Sequence, residues 1–196
     1  IWAQVNETLR ATPFPMPSFT VGDVFWALTQ HLPSGDPRAT GLMQAVLGAC
    51  RDNVAKHVGP VMNEQIRILW PDLQPLWGDA LGKWLAEEWN ASVVMSFQGA
   101  TPYTKIDTSN EDAMFFGLAR RAIAEVPMIR QGRGWVDVFE EDVTHLVNEY
   151  NCNAVIFPGH MGHKDQSGCG VFLKKICRDL DVPVLTLTTS LFDERY

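Results

Sequence analysis

The stretch NAVIFPGHMGHKDQS, residues 153–167, decides the fold that this sequence predicts. It opens with a short apolar run rich in β-branched and aromatic residues, which is typical of a buried strand. Pro158-Gly159 ends that run, a polar loop with two histidines and a lysine follows, and an apolar pattern at helical spacing begins after Ser167. Open α/β sheets place their ligands at the carboxyl ends of strands, in loops of this kind. The sequence therefore predicts part of a ligand or active site here.

The same alternation of strand and helix extends outward from this stretch. Three more runs have strand character, at residues 66–70, 92–97 and 182–187, and apolar patterns at helical spacing separate the predicted strands. Such alternation predicts an α/β protein with a parallel sheet of about four strands and right-handed crossovers.

The first third of the chain has no strand signal. Thr20 is predicted to cap one helix, and Asp36 followed by Pro37 to begin a longer one. We therefore divide the chain into a helical linking segment, residues 1–62, and an α/β lobe, residues 63–196. The chain begins as if inside a helix, without an initiator methionine, and we expect it to be a fragment of a longer protein.

Composition narrows the function classes. The 196 residues carry a net charge of -7 with scattered lysines and arginines, which argues against a nucleic-acid partner. No apolar run approaches the roughly 20 residues of a membrane span. The four cysteines form no CxxC pair, and we interpret them as reduced thiols of a cytoplasmic protein.

His160 and His163 are the first candidate site residues. A metal or cluster ligand, a proton donor near neutral pH and an anion contact all suit such histidines. HxxH alone is a weak signal, and two loop histidines bonded to backbone or facing solvent explain it equally well.

The start of the following helix is the second candidate. Small residues at Ser167-Gly168 let a phosphate approach free backbone N–H groups, and Lys164 would add positive charge. The run is not a GxGxxG fingerprint, so plain N-capping by Ser167 is the simpler role. Cys169 could ligate a metal, but it begins the apolar stripe of its helix, which favours a buried thiol.

Two further features lie outside that loop. The tryptophans at 77, 84 and 89 recur at helical spacing, which predicts an aromatic inner face used for core or interface. Thr188, Thr189, Ser190 and Asp193 follow the last predicted strand and so share the carboxyl edge with His160. They could hydrogen-bond a ligand, and a capped chain end is the alternative.

Six segments carry a family resemblance: RILW at 67–70, PLW at 75–77, VV at 93–94, NAVIF at 153–157, VPVL at 182–185 and DER at 193–195. In this order and spacing they resemble the C-terminal domain of the benzoyl-CoA reductase / 2-hydroxyacyl-CoA dehydratase family, specifically the 2-hydroxyglutaryl-CoA dehydratase D-component. The likeness covers about residues 65–196, and the helical start resembles the family's segment between two domains.

The resemblance implies flavodoxin- or Rossmann-like three-layer lobes, two per subunit, in a dimer with a homologous partner subunit. It implies a [4Fe–4S] cluster held between the lobes by cysteines of both, and a separate ATP-dependent iron–sulfur activator protein. The substrate would be an acyl-CoA: a 2-hydroxyacyl-CoA that loses water through a ketyl radical, or an aromatic acyl-CoA that is reduced. Such chemistry implies an anaerobe.

The sequence departs from the family pattern at two points. The lobe with the other cluster cysteines is missing, and an ungapped count places the C-terminal cluster cysteine at His163. His163 could ligate iron, Cys169 could substitute, or the ligand could be water or absent. An enzyme component is thus one hypothesis, and a non-catalytic lobe that binds acyl-CoA or scaffolds a subunit is the other. A flavodoxin-like domain with a phosphate-bearing cofactor at 167–170 is a third.

Overall fold

A four-stranded, entirely parallel sheet forms the centre of the computed structural model, which describes residues 1–32, 35–100, 104–131, 134–160, 162, 168–190, 192–193 and 195. Its strands are β1 (Ile66–Trp70), β2 (Ala91–Ser96), β3 (Ala154–Phe157) and β4 (Val184–Thr186). Their spatial order is β2-β1-β3-β4, and all three pairings are parallel. The predicted α/β class and strand number are confirmed.

The helices are α1 (Trp2–Thr8), α2 (Thr20–Trp26), α3 (Pro37–Lys56), α4 (Gly78–Trp89), α5 (Glu111–Ala124), α6 (Pro127–Arg130), α7 (Trp135–Glu149) and α8 (Gly170–Asp179), with a π-helical turn (Ala27–His31) directly after α2. The predicted start of α3 is confirmed, since Asp36 accepts the Arg38 N–H at 2.8 Å and Pro37 is the first helical residue. The predicted cap of α2 is wrong: Phe19, at φ 66°, precedes the helix and Thr20 lies inside it. None of the described helices is long and apolar enough to cross a bilayer.

Two hydrophobic cores lie on the two faces of the sheet. Side chains alternate along β1, so Leu69 belongs to the larger core while Ile68 and Trp70 belong to the smaller one. The larger core joins the sheet to α1, α3, α7 and α8. The smaller core lies under α4, where Phe19 packs edge-on against Trp70 with 5.1 Å between ring centroids. The sheet is thus covered by helices on both sides, as a three-layer lobe requires.

The predicted aromatic inner face of α4 is wrong in detail. Trp84 and Trp89 are 50% and 54% exposed, and the buried residues of the helix are Gly78, Gly82 and Leu85. A Cβ added at Gly82 would lie 2.9 Å from the Ser18 Cβ. The absence of a side chain at Gly82 therefore lets the segment before α2 pack closely against α4. Close approach of that segment, rather than tryptophan burial, sets how α4 packs.

The first 62 residues share the larger core with the lobe. Val5 and Leu9 of the N-terminal region and Met43 and Leu47 of α3 belong to the same buried cluster as Leu69. The described part of this segment contains helices and connecting loops but no strand.

Candidate functional site

Buried polar side chains follow the strands at one edge of the sheet. Asp72 and Gln74 come after β1, Gln98 after β2, His160 after β3 and Thr189 after β4, and each is 9% exposed or less. Because parallel strands end at a common edge, the side chains collect at the carboxyl side of the sheet. The strand order reverses between β1 and β3, so Asp72 and His160 flank the switch point where such sheets bind ligands.

The loop after β1 is fixed by hydrogen bonds. Asp72 accepts the Leu73 N–H at 2.6 Å, and the Gln74 N–H donates to the Gln98 side-chain oxygen at 2.8 Å. The Gln74 amide nitrogen also donates to Asp23 of α2 at 2.6 Å. Burial raises the pKa of Asp23, an effect that Asp79 adds to and the Gln74 hydrogen bond opposes. The loops after β1 and β2 and helix α2 are therefore joined by hydrogen bonds into one rim.

The loop after β3 holds His160 beside the last strand. His160 pairs with Thr189 in an isolated parallel bridge, and the Thr189 hydroxyl donates to the Pro158 carbonyl at 3.3 Å. The Gly162 N–H donates to His160 Nδ1 at 3.2 Å, so in the neutral ring the proton is on Nε2. A Cβ on Gly159 would lie 2.3 Å from the Leu187 carbonyl oxygen, so only glycine permits this approach of loop and strand.

Only part of the predicted site is among the described residues. His160 and Thr189 are brought together at the carboxyl edge, as predicted for that edge. Gly168 is exposed before α8, where an added Cβ would be 3.9 Å from the Trp135 ring. His163, Lys164 and Ser167 lie outside the described residues, and the roles assigned to them stay predictions.

The four cysteines are all buried as free thiols. Cys169, 2% exposed, packs in the larger core with Cys50 and Cys177, which confirms the stripe interpretation of its helix. Burial raises the pKa of the Cys177 thiol to about 11 and that of Cys152 to about 12. Within the described ranges, no group of three or more His, Cys, Asp or Glu could hold a metal ion.

Sequence reasoning missed Asp72, Gln74 and Gln98. The signal that could have found Asp72 is a carboxylate two residues past an apolar strand, at the sheet edge where the polar loop after β3 also begins. The glutamines carry no such signal, because their burial depends on the approach of α2.

Comparison with known proteins was made by family and by individual sequence. The family model described as 2-hydroxyglutaryl-CoA dehydratase, D-component, matches residues 1–196, the whole chain. The match confirms the resemblance and extends it over the N-terminal helices. No curated protein matches the chain.

Proposed function

The chain belongs to the 2-hydroxyglutaryl-CoA dehydratase D-component family, and from this premise we propose that it is part of a subunit of an iron–sulfur 2-hydroxyacyl-CoA dehydratase or benzoyl-CoA reductase-type enzyme. The family match over all 196 residues is the observation that carries the proposal. The buried polar rim at the switch point supports it, because ligands of doubly wound sheets bind there.

His160 is proposed as a catalytic residue. It is 9% exposed and held from both sides, by the Gly162 N–H on Nδ1 and by the bridge to Thr189. In this tautomer Nε2–H is a donor, which suits a thioester carbonyl or a departing hydroxyl. The rigid loop would keep the ring in one orientation during the reaction.

The remaining proposed roles belong to the segment between β3 and α8. His163 is proposed as a second catalytic residue and as an iron ligand at the family's cysteine position. Lys164, Ser167 and Gly168 are proposed to hold the phosphates of the acyl-CoA at the helix start. The described residues do not supply a ligand set for a [4Fe–4S] cluster. The cluster is therefore proposed for the full-length protein, where it would provide low-potential electrons, with most ligands outside this chain.

The proposal includes partners and a division of the chain. Residues 1–62 would link this lobe to another, and residues 63–196 would form the C-terminal lobe. A homologous subunit would complete the enzyme, and an ATP-dependent iron–sulfur activator protein would reduce it.

Anaerobic reconstitution of the full-length protein with iron and sulfide tests the cluster at this loop. We expect brown visible absorption and an EPR signal after reduction, both reduced in His163→Ala and retained in His163→Cys. His31→Ala, at an exposed histidine far along the chain, is the matched control. Absence of the chromophore from the unmodified protein, or an unchanged signal in His163→Ala, would argue against a cluster ligand here.

A non-catalytic lobe is the alternative, and the exposed tryptophans favour it. Trp84 and Trp89 lie edge-on to each other, 6.1 Å between centroids, with about half of each side chain exposed. Such a surface suits contact with a partner subunit. If the full-length protein binds acyl-CoA or its partner but forms no cluster under any reconstitution condition, this alternative is the better account.

A further inference from the structure

A cavity of about 480 Å³ lies between α1, the end of α5, α6 and α7. None of the carboxyl-edge residues Asp72, His160 or Thr189 lines it. Its volume falls in the range of pockets that bind small organic molecules. The family function as proposed above does not use it.

Three oxygen atoms in the described part of the lining have no hydrogen-bond partner. Asn6 is 3% exposed and its Oδ1 is unpaired. Asp142 is 6% exposed, and Arg130 contacts only its Oδ1, at 2.9 Å from Nε and 2.7 Å from Nη2, so Oδ2 is left unpaired. Oε2 of Glu125 is the third. Buried acceptors without donors are rare in folded proteins, and here they line one space.

The charge of the lining is negative. Four carboxylates line the cavity: Glu125, Glu141, Asp142 and Glu149. Arg130 pairs with Glu141 and Asp142, and Arg10, which is not in the lining, pairs with Glu149. Among the described residues two guanidinium groups therefore pair with three of the four carboxylates, His145 contacts Glu149 at 2.6 Å, and Glu125 forms no ion pair.

The rest of the lining is largely apolar. Ala100, Ala124, Pro127 and Leu146 contribute aliphatic surface beside the unpaired oxygens. A bare ion would leave this surface uncovered, whereas an alkyl chain would bury it. The lining thus combines acceptors for a cationic donor with a wall for a hydrocarbon stem.

We infer that this cavity binds an alkylammonium group, whose three N–H donors would pair with the oxygens of Asn6, Glu125 and Asp142 while its alkyl stem packs on the apolar wall. Burial raises the pKa of Asp142, against the opposing effect of Arg130. A bound cation would lower the pKa of Asp142 and so favour its ionised form. The negative charge of the lining would then stabilise the bound ammonium. The inference does not depend on the proposed dehydratase function.

The ammonium could come from a free diamine or from a lysine side chain of another protein. Calorimetric titration of the full chain with cadaverine and with Nα-acetyl-lysine methylamide distinguishes these sources. As controls, 1-pentanol supplies the alkyl stem without the charge, and Mg²⁺ supplies positive charge without the stem. We expect saturable binding of at least one ammonium probe, and weaker or no binding of 1-pentanol and Mg²⁺. Binding of cadaverine alone indicates a free diamine, and binding of the lysine derivative alone or more tightly indicates a protein side chain.

Charge-matched variants locate the binding. Glu125→Gln and Asp142→Asn should each weaken ammonium binding by about tenfold or more, a loss typical of one charged contact. Glu140→Gln removes the same charge from the exposed side of α7, outside the lining, and should leave affinity unchanged. Among the described residues Glu125 forms no ion pair, and its Oε2 has no hydrogen-bond partner, so its variant tests the site even if Asp142→Asn unfolds. Equal affinity in Glu125→Gln and Glu140→Gln, no ammonium binding, or preference for Mg²⁺ would overturn the inference.

Discussion

At the scale of single residues, Arg67 joins the N-terminal helices to the sheet. Its guanidinium is buried on β1 and pairs with Glu64 at 2.7 Å. It also donates to three backbone carbonyls, of Leu9 at 3.4 Å, Ala11 at 3.0 Å and Tyr150 at 2.9 Å. These carbonyls come from distant parts of the chain, so one side chain fixes the segment after α1 and the end of α7 against the same strand.

Replacement of Arg67 by methionine should therefore be strongly destabilising. The Glu64 carboxylate, 1% exposed, would stay buried without its cation, and a loss of about 3–5 kcal/mol is expected for a broken buried pair. Urea unfolding followed by circular dichroism measures it. Arg38→Met breaks a pair whose arginine is exposed, and its unfolding midpoint should hardly change. Similar midpoints for the two variants would show that Arg67 is not the structural link described.

The sequence alone predicted the position of His160 at the site but not the structural role of Arg67. His160 was predicted as a site residue because it lies in a polar loop between a strand-like run and a helical pattern, where open α/β sheets bind ligands. Arg67 was noted only as part of a family segment, since its three carbonyl partners are far away in sequence. Contacts between residues so far apart in sequence depend on how the helices pack against the sheet, and the local sequence pattern does not determine that packing.

At the scale of elements, the periodicity of apolar residues predicted which helices and strands exist better than it predicted which face of a helix is buried. The 20-residue helix α3 and all four strands were predicted from caps, breakers and spacing. Helix α5 also has apolar residues at helical spacing, yet none of its described side chains is buried, and Phe115 and Phe116 are 62% and 73% exposed. An apolar stripe shows that a helix has a face to cover, but which neighbour covers it is decided by tertiary packing.

The loop after β3 gives a prediction at this scale. In Gly159→Ala the new methyl would collide with the Leu187 carbonyl, which is backbone and cannot turn away, so loop and strand must separate. We expect a loss of about 1–3 kcal/mol and a shifted NMR signal from the His160 ring.

Gly48→Ala is the control, because it should change the free energy of unfolding in the opposite direction. Gly48 lies exposed inside α3 with nothing within 4 Å of an added Cβ, and alanine there should stabilise the fold by about 0.5–1 kcal/mol. If both glycine variants were stabilising and left the His160 signal in place, the tight approach at Gly159 would be disproved.

At the scale of the whole molecule, the two faces of the sheet are covered unequally. The face under α7 and α8 belongs to the larger core, whereas an apolar groove of about 460 Å³ lies open between α4 and strands β1, β3 and β4. Leu185 at the edge strand is 53% exposed, similar to Trp84 and Trp89 across the groove. Parallel sheets are normally buried on both faces. An apolar groove that stays open on one face of this sheet is therefore unusual.

The groove predicts dye binding that depends on one residue of its lining, Leu185. We expect the folded chain to enhance the fluorescence of anilinonaphthalene sulfonate, with energy transfer from Trp84 and Trp89 because both line the groove. Leu185→Lys places a charge against that surface and should reduce both signals by more than half, since desolvating an ammonium there is unfavourable. Val171→Lys makes the same change on α8, at a side chain that is 77% exposed and outside the groove, and should leave both signals nearly unchanged. Equal loss in the two variants would mean that the loss does not depend on whether the lysine lies in the groove. Retention of energy transfer in Leu185→Lys would place the dye elsewhere, and the open groove would then not dominate the apolar surface of this molecule.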